Sequence, residues 1–104
     1  MLYNKPLIEI VQSATFRRWH DGLKDRAAIL RIDARLRRLS EGNAGDVRPV
    51  GEGLSELRID HGPGYRVYFL QRGHRLVVLL AGGDKGTQAT DIAKAALIAR
   101  EWKD

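Results

Sequence analysis

An α+β fold in the order β-α-α-β-β-β-α is what this sequence predicts, with a small antiparallel sheet, an N-terminal helical hairpin and a C-terminal helix. Three observations predict it. Two early segments place apolar residues at helical spacing behind capping residues. Three alternating or continuously apolar runs come in close succession after residue 53, and an amphipathic segment begins at Thr87. With 104 residues the chain reads as one domain, 1–104, long enough for a single two-layer core.

IEIVQ, from Ile8 to Gln12, alternates apolar and polar residues and reads as the first strand. In SATFRRWHDGL, Ser13 stands as an N-cap, Phe16 and Trp19 share a face, and Gly22 breaks the helix. Asp25 caps the second helix, RAAILRIDARLRRLSEG, whose Ile29, Ile32, Leu36 and Leu39 lie on one stripe and whose end is marked by Gly42. GNAGDVRPVGEG, residues 42–53, is rich in glycine and holds a proline, so it reads as an irregular loop.

LSELRID, YRVYFLQ and HRLVVLLAG then give three strands, joined by HGPG and by a tight turn at Arg72-Gly73. The last is apolar from Leu76 to Ala81, as expected of a central strand covered on both faces. Thr87 caps the final helix, QATDIAKAALIAREWK, with Ile92, Ala95, Ala96, Ala99 and Trp102 along its buried side. Part of one sheet face is expected to stay open.

The formal net charge is +5, from 18 Lys and Arg against 13 Asp and Glu, with a pI near 10.0. That balance suits nucleic acid, an anionic membrane or an acidic protein, without choosing among them. The chain has no cysteine, which removes disulfides, cysteine-ligated zinc, iron–sulfur clusters and a thiol nucleophile, and fits a reducing cytoplasm. MLYNKPLIEIVQ lacks a charged leader with a long apolar run, and no segment reaches the roughly 20 apolar residues that span a bilayer. A cytoplasmic protein with no membrane contact is expected.

The second helix carries Arg31, Arg35 and Arg38 on one stripe. They form either a solvated outer face, paired in part with Asp33, or a surface that tracks phosphates.

Strand phase brings two further arginines together. If Asp60 to Gly64 makes the connection, Ile59 opposes Tyr65, Leu57 opposes Val67, and Arg58 lies opposite Arg66 on the face away from the core. Like charges so placed repel by about 0.2–1 kcal/mol. Either Glu56 and Asp60 offset this in a solvated charged ladder, or an anion does. Asp84, Lys85, Thr87 and Gln88 lie in the turn before the last helix, where backbone N–H groups beside Lys85 offer an anion site or Thr87 alone caps the helix.

RLRRLSEGNAGDVRPVGEGLSELRIDHGPGYRVYF, with LLAGGDKGTQATDIAKA after it, resembles the RelE/ParE superfamily of toxins from type II toxin-antitoxin modules, in particular its HigB-like addiction-module killer proteins. The resemblance runs from Phe16 to about Ala96 and is most specific in GNAGD, ELRIDHGPGYRVYF and GGDKGTQATDI. It implies a RelE-like sheet and a cytoplasmic toxin neutralised by a cognate antitoxin, expected to be a helix-turn-helix protein, in a toxin-antitoxin hetero-oligomer. In RelE-like and HigB-like members the toxin enters the ribosomal A site and cuts mRNA without a metal or cofactor: the ribose 2′-OH attacks the adjacent phosphate, leaving a 2′,3′-cyclic phosphate and a 5′-OH.

By the same resemblance Arg66, in GYRVYF, matches the catalytic arginine, while Arg58 and Lys85 match basic positions on the preceding strand and after the last one. Asp91 stands where RelE-like enzymes often carry a tyrosine as general acid or base, and Tyr68, Glu56 and His61 are the other candidate proton carriers. Catalysis is thus expected of Arg66, Arg58, Lys85 and Asp91, and RNA contact of Arg31, Arg35, Arg38, Tyr68 and Gln88. Two other readings stand beside this one: a ParE-like poison of DNA gyrase that acts by protein contact, and a catalytically idle binder that recruits only its antitoxin.

Overall fold

The computed structural model describes residues 7–103, so the ends of the expected domain lie outside the described residues. Strand β1 (Glu9–Gln12) leads into α1 (Ala14–Asp21) and α2 (Arg26–Ser40). Strands β2 (Val47–Gly51), β3 (Leu54–Ile59), β4 (Tyr65–Arg72) and β5 (Leu76–Asp84) come next, then a 3₁₀ turn (Lys85–Thr87) and α3 (Gln88–Glu101). The sheet is mixed: its order is β1-β5-β4-β3-β2, with β1 parallel to β5 and the remaining pairs antiparallel.

Ser13 and Asp25 cap the first two helices, as their positions in the sequence predict. Ser13 Oγ accepts from Phe16 N at 3.0 Å and donates to the carbonyl of Leu80 at 2.7 Å, so one hydroxyl starts α1 and pins it to the central strand. Asp25 accepts from Ala28 N at 3.2 Å to start α2. Helix α2 ends in a Schellman motif: Asn43 N donates to Arg38 O at 2.8 Å and Gly42 N to Leu39 O at 3.0 Å, with Gly42 at φ +87°.

The strands correct two expectations: the sheet is mixed rather than antiparallel, because β1 runs parallel to β5, and it has one strand more than expected. The segment expected to be irregular loop contains β2, an edge strand whose Val47, Arg48 and Pro49 pair with Leu57, Glu56 and Ser55. An edge tolerates Pro49 because its N–H is not needed. The connection from β2 to β3 is a two-residue turn, Glu52-Gly53, with φ of +53° and +76°, the primed geometry that matches strand twist. The element order is therefore β-α-α-β-β-β-β-α.

Both faces of the sheet are covered over β4 and β5. Helices α1 and α2 bury Phe16, Ile32 and Leu39 against Leu57, Ile59, Val67, Phe69, Val77 and Leu79. Helix α3 lays Ala95 and Ala96 on Tyr68, Val78, Leu80 and Ala81 from the other side. Strand β5 lies inside the sheet, and Val77 to Ala81 are buried throughout. No described helix is long and apolar enough to cross a membrane.

A bulge in β5 decides which way its last residues face. Tyr68 pairs with Ala81 but Phe69 with Leu79, so Leu80 is the extra residue and the alternation of β5 reverses beyond it. Gly82 then faces α1 beside Val67, and Gly83 faces α3 beside Arg66. Strand β1 pairs with β5 only as far as Leu79, which leaves the outer edge of Ala81–Asp84 without a strand partner among the described residues.

Candidate functional site

Arg58 pairs with Arg66 across β3 and β4, in the register expected from strand phase. Beneath them lies Glu56, 4% exposed, with Oε1 3.8 Å from Nε of each arginine. The other carboxylate oxygen, Oε2, accepts from Tyr68 Oη at 3.1 Å and from Gln88 Nε2 at 2.8 Å. One buried carboxylate thus offsets two guanidiniums and is itself hydrogen-bonded, which is what a buried charge requires.

Arg66 is 5% exposed, with Nη1 donating to the carbonyls of Gly64 and Tyr65 at 3.0 Å each. Its Nε is buried without a hydrogen-bond partner among the described residues. Arg58, Arg66 and Lys85 together line an open cleft of about 350 Å³, walled by Gly62, Pro63 and Gly64 of the β3–β4 turn. Asp46 and Asp60 stand at the same cleft, so its charge is mixed.

Arg35 does not lie on a free basic face. Its Nη1 donates to the carbonyl of Arg58 at 2.6 Å, and its Nη2 to those of Ala44 and Asp46 at 3.1 and 3.3 Å, where it ties α2 to β3 and to the start of β2. Partial burial lowers the pKa of its guanidinium, against the pull of Asp46. Arg31 and Arg38 remain exposed and flank a shallow depression that shares Ile59 and Asp60 with the basic cleft.

Tyr68 is wholly buried and is no platform for a base, and Gln88 is engaged by Glu56. Burial raises the Tyr68 phenol well above its ordinary pKa, and the neighbouring Glu56 carboxylate reinforces this. The stability tied to a raised pKa is fully present below the unfolded tyrosine value near 10 and is lost as pH climbs through the higher folded value. Subtracting a Tyr68→Phe absorbance titration from that of the parent protein should isolate a tyrosinate that forms only as the fold opens in strong alkali. A Tyr68 signal at ordinary alkalinity would contradict this burial.

Asp91 is not brought to the basic cleft. It sits on α3 over Gly83, accepts from Thr87 Oγ1, and lines a separate cleft with Trp19, Arg18 and Lys94. Thr87 therefore spends its hydroxyl on Asp91 and on the Asp84 turn and makes no side-chain cap to α3. The expected anion site at the helix start is filled from within the chain, because Asp84 Oδ1 accepts from Gly86 N at 2.7 Å. His61 stacks on Tyr65 and meets Asp25 at 3.2 Å, and His20 meets Asp33 at 2.7 Å, so both imidazoles serve loop and helix contacts. Backbone hydrogen bonding from Ala28, and then His61, hold the Asp25 carboxyl below its ordinary pKa. Among the described residues no group of three or more His, Asp and Glu side chains is placed to hold a metal ion.

Sequence reasoning missed the depth of Glu56. The signal was available, since a carboxylate between two arginines in strand phase has little else to pair with, but burial by α3 could not be read from β3 alone.

A family profile described as Phage derived protein Gp49-like (DUF891) matches residues 18–103. A protein of Haemophilus influenzae, described only as uncharacterized, is 49% identical over 94 residues, which cover 90% of this chain and 95% of the relative.

Proposed function

The chain belongs to the phage-derived Gp49-like family, and from that membership we propose that it is the toxin of a type II toxin-antitoxin module, a metal-independent, ribosome-dependent endonuclease acting on mRNA in the cytoplasm. The family's kinship with RelE- and HigB-type toxins supports the toxin role. The observation that carries the nuclease role is the convergence of Arg58, Arg66 and Lys85 on one cleft, with a buried Arg66 Nε that makes no hydrogen bond among the described residues.

In this reading the ribose 2′-OH gives up its proton and attacks the adjacent phosphorus, the bond to O5′ breaks and O5′ takes up a proton to leave as the 5′-OH, so no water is consumed. Negative charge grows on the phosphoryl oxygens in the transition state, and the three cations stabilise it there. Glu56 holds the two guanidiniums side by side, so they need not reorganise as the charge develops. Arg31 and Arg38 extend the track for neighbouring phosphates past Asp60. The partner is a cognate antitoxin of helix-turn-helix type, bound in a hetero-oligomer.

Induction of the protein and then mapping of 5′ ends in cellular mRNA tests the proposal. New 5′-hydroxyl ends within translated frames are expected. Intact message together with cleaved, gyrase-linked DNA would replace this reading with a ParE-like one, in which the basic cleft contacts protein.

A further inference from the structure

Gln88 opens α3, directly after the turn that brings Lys85 to the basic cleft. Its backbone is held on both sides: Asp84 closes on Gly86 N, Thr87 binds Asp91, and Ala95 and Ala96 lie against the sheet. From that fixed point the side chain reaches Glu56, with Nε2 donating to Oε2 at 2.8 Å. An ionised carboxylate only accepts, so the amide turns its nitrogen towards it. Tyr68 Oη, the other donor to Oε2, comes from the neighbouring strand at 3.1 Å. Among the described residues Gln88 is the one donor that reaches this carboxylate from outside the sheet.

Oε1 lies 3.8 Å from Nε of both Arg58 and Arg66. That exceeds the about 3.2 Å within which N–H···O bonds form, so charge and not a directional bond couples Oε1 to the pair. The balance is an unstable one. Arg66 Nε is buried and makes no hydrogen bond among the described residues, which is costly, and the Glu56 carboxylate is an acceptor beside it. Unrestrained, Glu56 would close the remaining distance to Arg66. Arg58, with 28% of its side chain exposed, would then lose its share of the counter-charge and swing towards solvent.

We propose that Gln88 is a positioning residue, which by holding Oε2 keeps Oε1 between Arg58 and Arg66 and so keeps both guanidiniums at the cleft. It acts through Glu56 and not on the substrate, whose identity rests on the nuclease reading. The start of α3 thereby governs all three cations, since the turn that carries Lys85 also fixes the hold on the other two.

Gln88→Leu in the full chain tests this with two independent readings. The first needs no substrate: the Arg66 Nε–H proton resonance, assigned by its absence from Arg66→Lys, should move downfield in Gln88→Leu as Nε bonds Glu56. The second is RNA cutting, where kcat should fall about tenfold or more with KM little changed, because the cations lose their preorganisation while the cleft keeps its charge. In an Arg58→Ala background Gln88→Leu should cost no further activity, since both changes act by one route. A Gln88 that only braces the fold would lower the melting temperature, leave the resonance in place and add its loss to that of Arg58→Ala. Either of the last two results overturns the proposal. Should Gln88→Leu not fold, Gln88→Met, unbranched like glutamine, takes its place; and a parent Arg66 Nε–H that already resonates as hydrogen-bonded overturns the proposal without any variant. A shifted resonance where the parent cuts no RNA keeps the positioning role and ends the nuclease reading, whereas an unshifted one beside undiminished cutting does the reverse.

Discussion

Arg66→Ala is expected to abolish growth arrest on induction, with cleavage reduced by about 10²- to 10³-fold, the scale of losing one preorganised donor to a developing oxyanion. The side chain is 6% exposed and faces Glu56, so truncation also takes one partner from a buried carboxylate. Stripping such a charge of its partner costs about 3–5 kcal/mol. Arg58, Tyr68 and Gln88 stay in place around Glu56, so a smaller loss is expected and the fold should survive. Strand phase alone makes Arg66 an outward side chain whose removal leaves stability untouched, and its burial against Glu56 corrects that. Arg66→Ala combined with Glu56→Gln removes the stranded charge and separates the two effects: stability should recover and activity should not. A fully toxic Arg66→Ala protein, with the variant folded, would remove the central assignment of the nuclease reading.

Gly83→Ala should bring a large loss of stability for one added methyl group. The new Cβ would lie 2.7 Å from Asp91 Cγ and 2.8 Å from Thr87 Oγ1, distances that real Cβ atoms do not sustain. Asp91 cannot retreat easily, because α3 is anchored through Ala95 and Ala96 against the sheet. Overpacking of this kind costs about 1–3 kcal/mol, and each kcal/mol lowers the melting temperature of a domain of this size by roughly 4–8 °C. Asp91→Ala in the same chain removes the clash and should restore most of the loss. Thermal denaturation monitored by circular dichroism reads both, and a Gly83→Ala protein that melts with the parent would show that Asp91 does not pack on this backbone.

The hairpin register was legible because two independent signals agreed on it. Alternation fixed which residues of ELRID and YRVYF share a face, and Gly62 and Gly64 fixed the connection, so Arg58 fell opposite Arg66. Caps at Ser13 and Asp25 were legible for the same reason, since each is a local rule satisfied within three residues. Strand β2 was hidden because glycine and proline dominate its surroundings, and its turn uses Glu52 at positive φ where asparagine or glycine would have announced it.

Only part of the site's geometry was legible, for a physical reason. Strand phase gives a side chain's face but not what covers that face, and here Gln88 at the start of α3 caps the Glu56 carboxylate from a distance of 32 residues in sequence. Arg35 illustrates the same limit on a helix. Its spacing put it with Arg31 and Arg38, yet the carbonyls of Ala44, Asp46 and Arg58 draw it inward. The bulge at Leu80 was equally hidden, and it reverses the parity of β5 so that Gly83 turns towards α3 and lies against Asp91.

The position of β5 inside the sheet has a consequence for synthesis. Every other strand leaves the ribosome before the one that joins β1 to β4 exists, so the sheet cannot close until its last strand emerges. A chain stalled or cut before residue 76 keeps only β2, β3 and β4 paired, leaves β1 and β4 unjoined and lacks Lys85, so its β3–β4 hairpin presents arginines with no third cation opposite. On the nuclease reading, translation products that stop short of Lys85 lack one of the three cations of the cleft and are expected to be inactive.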